Sequence, residues 1–127
     1  MCGLIWFVQI VHYPLLAQVD RARFTTYMHT HIRQTTWVVA PLMLAEVAAA
    51  LALLRSAGTD ATTWISFALL LLIWLSTAFL QVPCHRKLEL GKDRAVIRRL
   101  VRSNWLRVGA WTARVPLTLS MFEQGIS

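Results

Sequence analysis

The sequence predicts an all-α fold, a four-span transmembrane helix bundle with two interfacial amphipathic helices, forming one integral membrane domain over residues 1–127. Three observations predict it. Hydrophobic residues make up 57% of the chain and charged residues 15%, whereas soluble domains are about 45–50% apolar and about 25% charged. Four apolar stretches, residues 4–17, 37–54, 64–82 and 105–122, fill most of the 127 residues. Each approaches the roughly 20 residues that cross a hydrocarbon core about 30 Å thick. Finally, the basic residues collect in alternate connections between these stretches, the charge asymmetry of a polytopic chain.

Span one ends around His12-Tyr13-Pro14, and from Met1 to Ala17 it reaches about 25 Å at the helical rise. That makes it a thin span, or one whose true start lies upstream. No basic leader or cleavage site precedes the apolar run, so a signal peptide is disfavoured. Next, Phe24, Tyr27, Met28, His31 and Ile32 recur at three- and four-residue steps, the pattern of an amphipathic helix lying in the membrane interface. Span two follows from Thr35-Thr36-Trp37, tolerates Pro41 near its start, and is rich in alanine over Ala45–Ala52, which favours close helix contact. A short turn, residues 56–60, makes spans two and three antiparallel neighbours. Span three closes at Val82-Pro83. After Gly91, Val96, Ile97, Leu100 and Val101 alternate with Arg94, Arg98, Arg99 and Arg102 in a second amphipathic stretch, which feeds span four at Asn104-Trp105. Trp37, Trp64 and Trp105 mark span ends as an aromatic belt would.

The net charge of +7 raises the question of nucleic acid, but its distribution answers otherwise. Arg21, Arg23, Arg33, Arg86, Lys87, Lys92, Arg94, Arg98, Arg99 and Arg102 share one side of the predicted bundle, and Arg55 alone takes the other. The positive-inside rule then puts both long loops in the cytoplasm and both termini outside, in the cytoplasmic membrane of a bacterium. Basic loops there meet anionic lipid head groups. Cys2 and Cys84 fall near opposite faces, which excludes an intrachain disulfide, and neither sits in a CxxC or CxxCH pattern.

Ionisable and polar residues inside the spans are the candidates for function, because charge in hydrocarbon is costly. Glu46 and Arg114 each lie nine residues past a span-starting tryptophan, about 13 Å deep by the helical rise, and are expected to pair. Gln9 is expected in the same layer. Asn104, Arg107, Trp111 and Arg114 share a face of span four, Gln9, His12 and Tyr13 one of span one, and Trp74, Thr77 and Gln81 one of span three. Together they predict a polar interior opening toward the cytoplasm. The bland alternative is that these side chains only hydrogen-bond helices together. His29 and His31 point about 200° apart on a helix and are read as a solvated face, with His85 solvent-facing beside Arg86 and Lys87. No GxSxG, HExxH, Walker loop or carboxylate pair is present, so hydrolytic and hard-cation chemistry lack support and no metal ligands are assigned.

Val82-Pro83, Leu88, and Asn104-Trp105 with Arg107, Trp111 and Arg114 resemble the small four-helix bacterial membrane proteins around the anthrone-oxygenase-like family, and His12-Tyr13-Pro14 looks like the polar-Pro ending of that family's first helix. Gln81 and His85 stand where the resemblance implies asparagines. The resemblance implies the four-helix fold over the whole chain, and most members have no assigned role.

The leading reading is an intramembrane pocket that binds or oxidises a small lipophilic aromatic or quinone-like molecule. Gln9, Tyr13, Glu46, Trp74, Gln81, Arg107, Trp111 and Arg114 would bind it. His12 would carry a proton, since an unperturbed imidazole titrates near neutrality. Two alternatives use the same residues: a non-catalytic binding or assembly subunit, and a small b-haem protein using His12 and a second histidine. The cofactor and the oligomeric state are left open. For topology, a cysteine at position 56 (Ser56→Cys) should react with an impermeant thiol reagent in intact cells and Cys84 should not. The reverse labelling would overturn the orientation.

Overall fold

The computed structural model describes residues 1–56 and 60–126, and among these the secondary structure is entirely helical. Four helices run α1 Cys2–Gln18, α2 Phe24–Ser56, α3 Ala61–Glu89 and α4 Arg94–Ile126. By length and apolarity Phe24–Arg55 and Ala61–Glu89 are long enough to cross a membrane, while Cys2–Gln18 is apolar but shorter. Of the predicted turn at 56–60, residues 57–59 lie outside the described residues.

Two boundary expectations are corrected. Neither amphipathic stretch is a separate interfacial helix: each forms the opening turns of a 33-residue helix, α2 or α4. Nothing between Gln34 and Trp37 or around Asn104 breaks a helix, and the apolar faces have partners inside the bundle. Phe24, Met28, Ile97 and Leu100 pack with Tyr13, Leu16, Cys84 and Leu88 in one buried cluster. Nor do Pro14 and Pro83 end their helices. In each case the preceding residue bonds five positions back, Tyr13 N–H to Val8 O and Val82 N–H to Thr77 O, in π-helical turns Val8–His12 and Thr77–Gln81. A proline has no N–H to continue the ladder, and a widened turn that already skips a bond receives it. Beyond Pro14, α1 continues to Gln18, and beyond Pro83, α3 continues to Glu89. The α3–α4 turn is made by Gly91 at φ +153°, a conformation that side chains disfavour.

α1 lies antiparallel along α4. Trp6 Nε1 donates to Thr112 Oγ1 at 3.0 Å, Trp6 and Trp105 meet edge to face at 5.7 Å, and Asn104 Nδ2 donates to Gln9 Oε1 at 2.9 Å. Lys92 fixes the level of the helix ends, its Nζ donating to the carbonyls of Ala17 (2.8 Å) and Val19 (2.6 Å). α3 packs along α4 as well, but α2 makes no close backbone approach to α1 or α4 and touches α3 near its two ends. The second apolar cluster, around Ile5, Met43, Leu70, Ile73, Val108 and Trp111, fills the other half of the bundle. Large apolar side chains also cover the outside, including Phe7, Ile10, Trp37 and Phe79.

Two measurements follow from these contacts. Cys84 is buried, so its silence toward thiol reagents is expected from either side; Leu90, 89% exposed, is the better reporter, and Leu90→Cys should stay unlabelled in intact cells and label in lysed ones. At the start of α3, Asp60 Oδ1 accepts from Thr63 N at 3.0 Å and from the Thr63 hydroxyl. The Thr63 hydroxyl, then its amide, hold the Asp60 carboxyl below the usual carboxylate range. A depressed pKa contributes stability above the unfolded value and loses it as pH falls through the folded value. Asp60→Ala should therefore speed Thr63 amide exchange at neutral pH, and acidification should bring the wild type towards the same rate. Equal protection at neutral pH would show that the cap is idle.

Candidate functional site

The gap that α2 leaves beside α1 and α3 is a cavity of about 760 Å³. Its walls are mostly apolar, among them Ile5, Val39 and Met43, and at the end nearer the basic turns it meets His12, His31, His85 and Arg107. Of the nine sequence-predicted site residues it gathers five: His12, Tyr13, Trp74, Gln81 and Arg107.

The π-helical turns place two of these. Widening the turn aligns residues four apart more closely than an α-helix does, so Gln9 and Tyr13 both turn inward, 5% and 2% exposed. In α3 the same turn carries Gln81 inward, 3% exposed. Tyr13 Oη donates to Gln81 Oε1 at 3.2 Å, and Gln81 Nε2 donates to Ser103 Oγ at 2.9 Å. Behind this chain Gln9 bonds to Asn104, and Arg107 Nη1 donates to Asn104 Oδ1 at 3.3 Å. The first chain of side-chain bonds joins three helices, and the second, beside it, joins α1 to α4.

Gln9 therefore does not share a layer with Glu46 and Arg114, as the residue count from span ends suggested. The count took α4 to enter the bundle at Trp105, but α4 starts packing at Arg94, so Gln9 is level with Asn104. Arg114 lies ten residues further, about 15 Å along the helix. There the expected pair does form: Arg114 Nη1 donates to Glu46 Oε2 at 3.1 Å and its Nε to Ser66 Oγ at 3.4 Å. The guanidinium sits 5.2 Å from the Trp111 ring centre. Glu46, Trp111 and Arg114 form this second layer and do not line the cavity.

The histidines are the main correction. His31 and His85 are not solvent-facing. The His12 and His31 rings stack at 4.2 Å with 19° between planes, and His31 and His85 at 6.1 Å with 24°. Tyr27 extends the row, 6.0 Å from His31 and 3° from parallel. His85 Nδ1 is 3.0 Å from the carbonyl of Gln81. Only His29, beside Glu89 Oε1 at 3.4 Å with its side chain 61% exposed, fits the solvated reading. His31 and His85 are thus the functional candidates that the sequence missed. The signals existed: Tyr27, His31 and Thr35 are spaced by four, as are Gln81 and His85, once neither stretch is broken at a helix end.

Three cavity-lining residues have a buried polar atom with no partner in the structure: His12 Nε2, Trp74 Nε1 and Arg107 Nε. Buried polar atoms are normally satisfied, so these mark where a bound molecule would be recognised. Among the described residues no three His, Cys, Asp or Glu side chains are grouped to hold a metal ion. His31 lies against His12, but a haem does not fit between that pair, because the two rings stack face to face at 4.2 Å. No protein-family model, curated protein or solved structure matches the chain.

The Arg114–Glu46 contact generates a direct test. Removing one partner of a buried pair costs about 3–5 kcal/mol because the other charge is stranded, and with the Glu46 side chain 32% exposed the lower end is expected. Glu46→Gln or Arg114→Gln should each lower stability, and the double variant should recover much of the loss. Additive losses would mean that the two residues do not interact in the folded protein.

Proposed function

We propose that this chain is a polytopic protein of the bacterial cytoplasmic membrane, with four spans, basic turns in the cytoplasm and both ends outside, and that its cavity binds a small, flat, lipophilic aromatic molecule of quinone-like character. The observation that carries this reading is a mostly apolar cavity that ends at a cluster of aromatic rings, His12, His31 and His85, and is lined by the unpartnered His12 Nε2 and Trp74 Nε1. Aromatic rings attract a further ring edge to face as well as by offset stacking, and a mostly apolar pocket with a few convergent polar groups is the usual form of a small-molecule site. The apolar exterior and the two long apolar helices support the membrane, and ten basic residues against one support the orientation. The likeness of Val82-Pro83, Asn104-Trp105, Arg107, Trp111 and Arg114 to the anthrone-oxygenase-like family supports the same reading. In any turnover of the bound ring, His12 is the residue assigned to proton transfer, because it reaches the cavity with an unpartnered ring nitrogen.

Mild-detergent purification followed by mass spectrometry and an absorption spectrum should reveal a co-purifying aromatic chromophore. With the ligand stripped, 2-methyl-1,4-naphthoquinone should quench tryptophan fluorescence saturably. Trp74→Phe, which removes the unpartnered N–H together with part of the ring surface, should weaken binding about tenfold or more, a ratio equivalent to about 1.4 kcal/mol. Absence of both a co-purifying ring and saturable quenching would overturn the reading.

A further inference from the structure

We infer that the molecule bound in the cavity carries an ionised hydroxyl on its ring, and that Arg107 receives that oxyanion. The inference rests on the aromatic-binding reading above and narrows its ligand to a lipophilic ring acid.

Arg107 is 7% exposed and lines the cavity. Among the described residues its one hydrogen bond is to the neutral side chain of Asn104 at 3.3 Å, and its Nε has no partner. No ion pair among the described residues involves it. Burying a cation without a counter-charge is among the costliest arrangements in a protein, and a guanidinium cannot escape by shedding its proton. Nearby titratable groups do not supply the missing charge. Tyr13 and His85 line the cavity with Arg107, but the Tyr13 hydroxyl donates to Gln81 and His85 is engaged with the Gln81 carbonyl. Glu89, also on the cavity wall, sits against His29.

The other buried arginine supplies the comparison. Arg114 stands seven residues on, two turns along the same helix face, with Glu46 at 3.1 Å. One guanidinium is neutralised by the chain itself, while the other is left facing a cavity. Two further unpartnered groups, the Trp74 indole N–H and His12 Nε2, line the same space. Guanidinium and indole N–H groups donate only, so what fits them is an acceptor, and a charged one satisfies Arg107 best. The aromatic rings at that end of the cavity favour an oxyanion carried on a flat ring over one at the end of an alkyl chain.

The test uses the full chain in lipid nanodiscs and follows tryptophan quenching by two probes. One is a 2-hydroxy-3-alkyl-1,4-naphthoquinone, ionised at neutral pH; the other is its 2-methoxy ether, of nearly the same shape and neutral. The hydroxy compound should bind about tenfold or more tightly than the ether. The preference should fall toward unity in Arg107→Gln and persist in part in Arg107→Lys. Acidifying until the ligand hydroxyl is protonated should erase it in the wild type. Equal binding of the two probes would overturn the inference and leave aromatic binding standing. Binding of neither would remove the aromatic reading and this inference with it. A saturated fatty acid that displaces the ether as well as the hydroxy compound does would show that the ring is irrelevant and overturn it too. Should Arg107→Gln fail to fold, the wild-type ratio and Arg107→Lys still decide.

Discussion

Gln81 is the side chain on which the arrangement turns. It accepts from Tyr13 on α1 and donates to Ser103 on α4, while its own carbonyl holds His85. In apolar surroundings each of these groups, left alone, would cost roughly 1–3 kcal/mol. One amide that satisfies both neighbours therefore fixes the spacing and rotation of three helices together. Helix α2 is outside this network. It is held to the others by apolar side chains, Phe24 and Met28 in one cluster and Met43 in the other, and by the stack of His12 on His31, Glu46 with Arg114 and His29 beside Glu89. A helix attached through side chains, with no close backbone approach to α1 or α4, leaves the space that becomes the cavity.

The two π-helical turns explain how this network is reached from an apolar sequence. Each precedes a proline, and each holds polar residues of its helix: Gln9 and His12 in one, Thr77 and Gln81 in the other. A wide turn costs a regular hydrogen bond, and a proline on its next residue removes a bond that would have been lost anyway. Inserting one residue into the turn also shifts the side-chain phase by about 100°, which carries groups from the outer faces of α1 and α3 toward α4. The sequence pairs His12-Tyr13-Pro14 with Gln81-Val82-Pro83 are therefore the same device used twice.

This device also marks the limit of what was legible in the sequence. Apolar periodicity located all four helices, because burial and apolar surface leave a direct imprint on composition. The meeting of Glu46 with Arg114 was legible from residue counts, since both helices run regularly to that depth. His31 and His85 were not. Pro83 and the amphipathic pattern after Asp20 read as helix ends, and a helix end puts the next histidine in water. Register failed for the same reason: Gln9 was counted from Ala17 and Arg114 from Trp105, when Ala17 is level with Lys92, which donates to its carbonyl and to that of Val19. Local propensity sees a proline but not the turn that accommodates it, and no signal in a single chain says that a basic stretch packs inward along its apolar stripe.

The contrast between the layers bears on what the bundle is for. At the Arg114 level the guanidinium is satisfied by the chain: Glu46 and Ser66 accept from it and the Trp111 ring lies against its plane, although the Trp111 indole N–H has no partner among the described residues. The charge in this layer needs nothing bound to neutralise it, and the pair holds α2 to α4. At the Arg107 level the same residue type, on the same face, has only an amide oxygen at 3.3 Å. If the network existed solely to join helices, a leucine or glutamine at 107 would do so at lower cost, because replacing buried charge with well-packed neutral side chains is often neutral or stabilising. Keeping a guanidinium there, next to space and without a carboxylate, makes sense as a site whose last partner arrives from outside the chain. The two arginines divide the labour, one completing the fold and the other left incomplete by it.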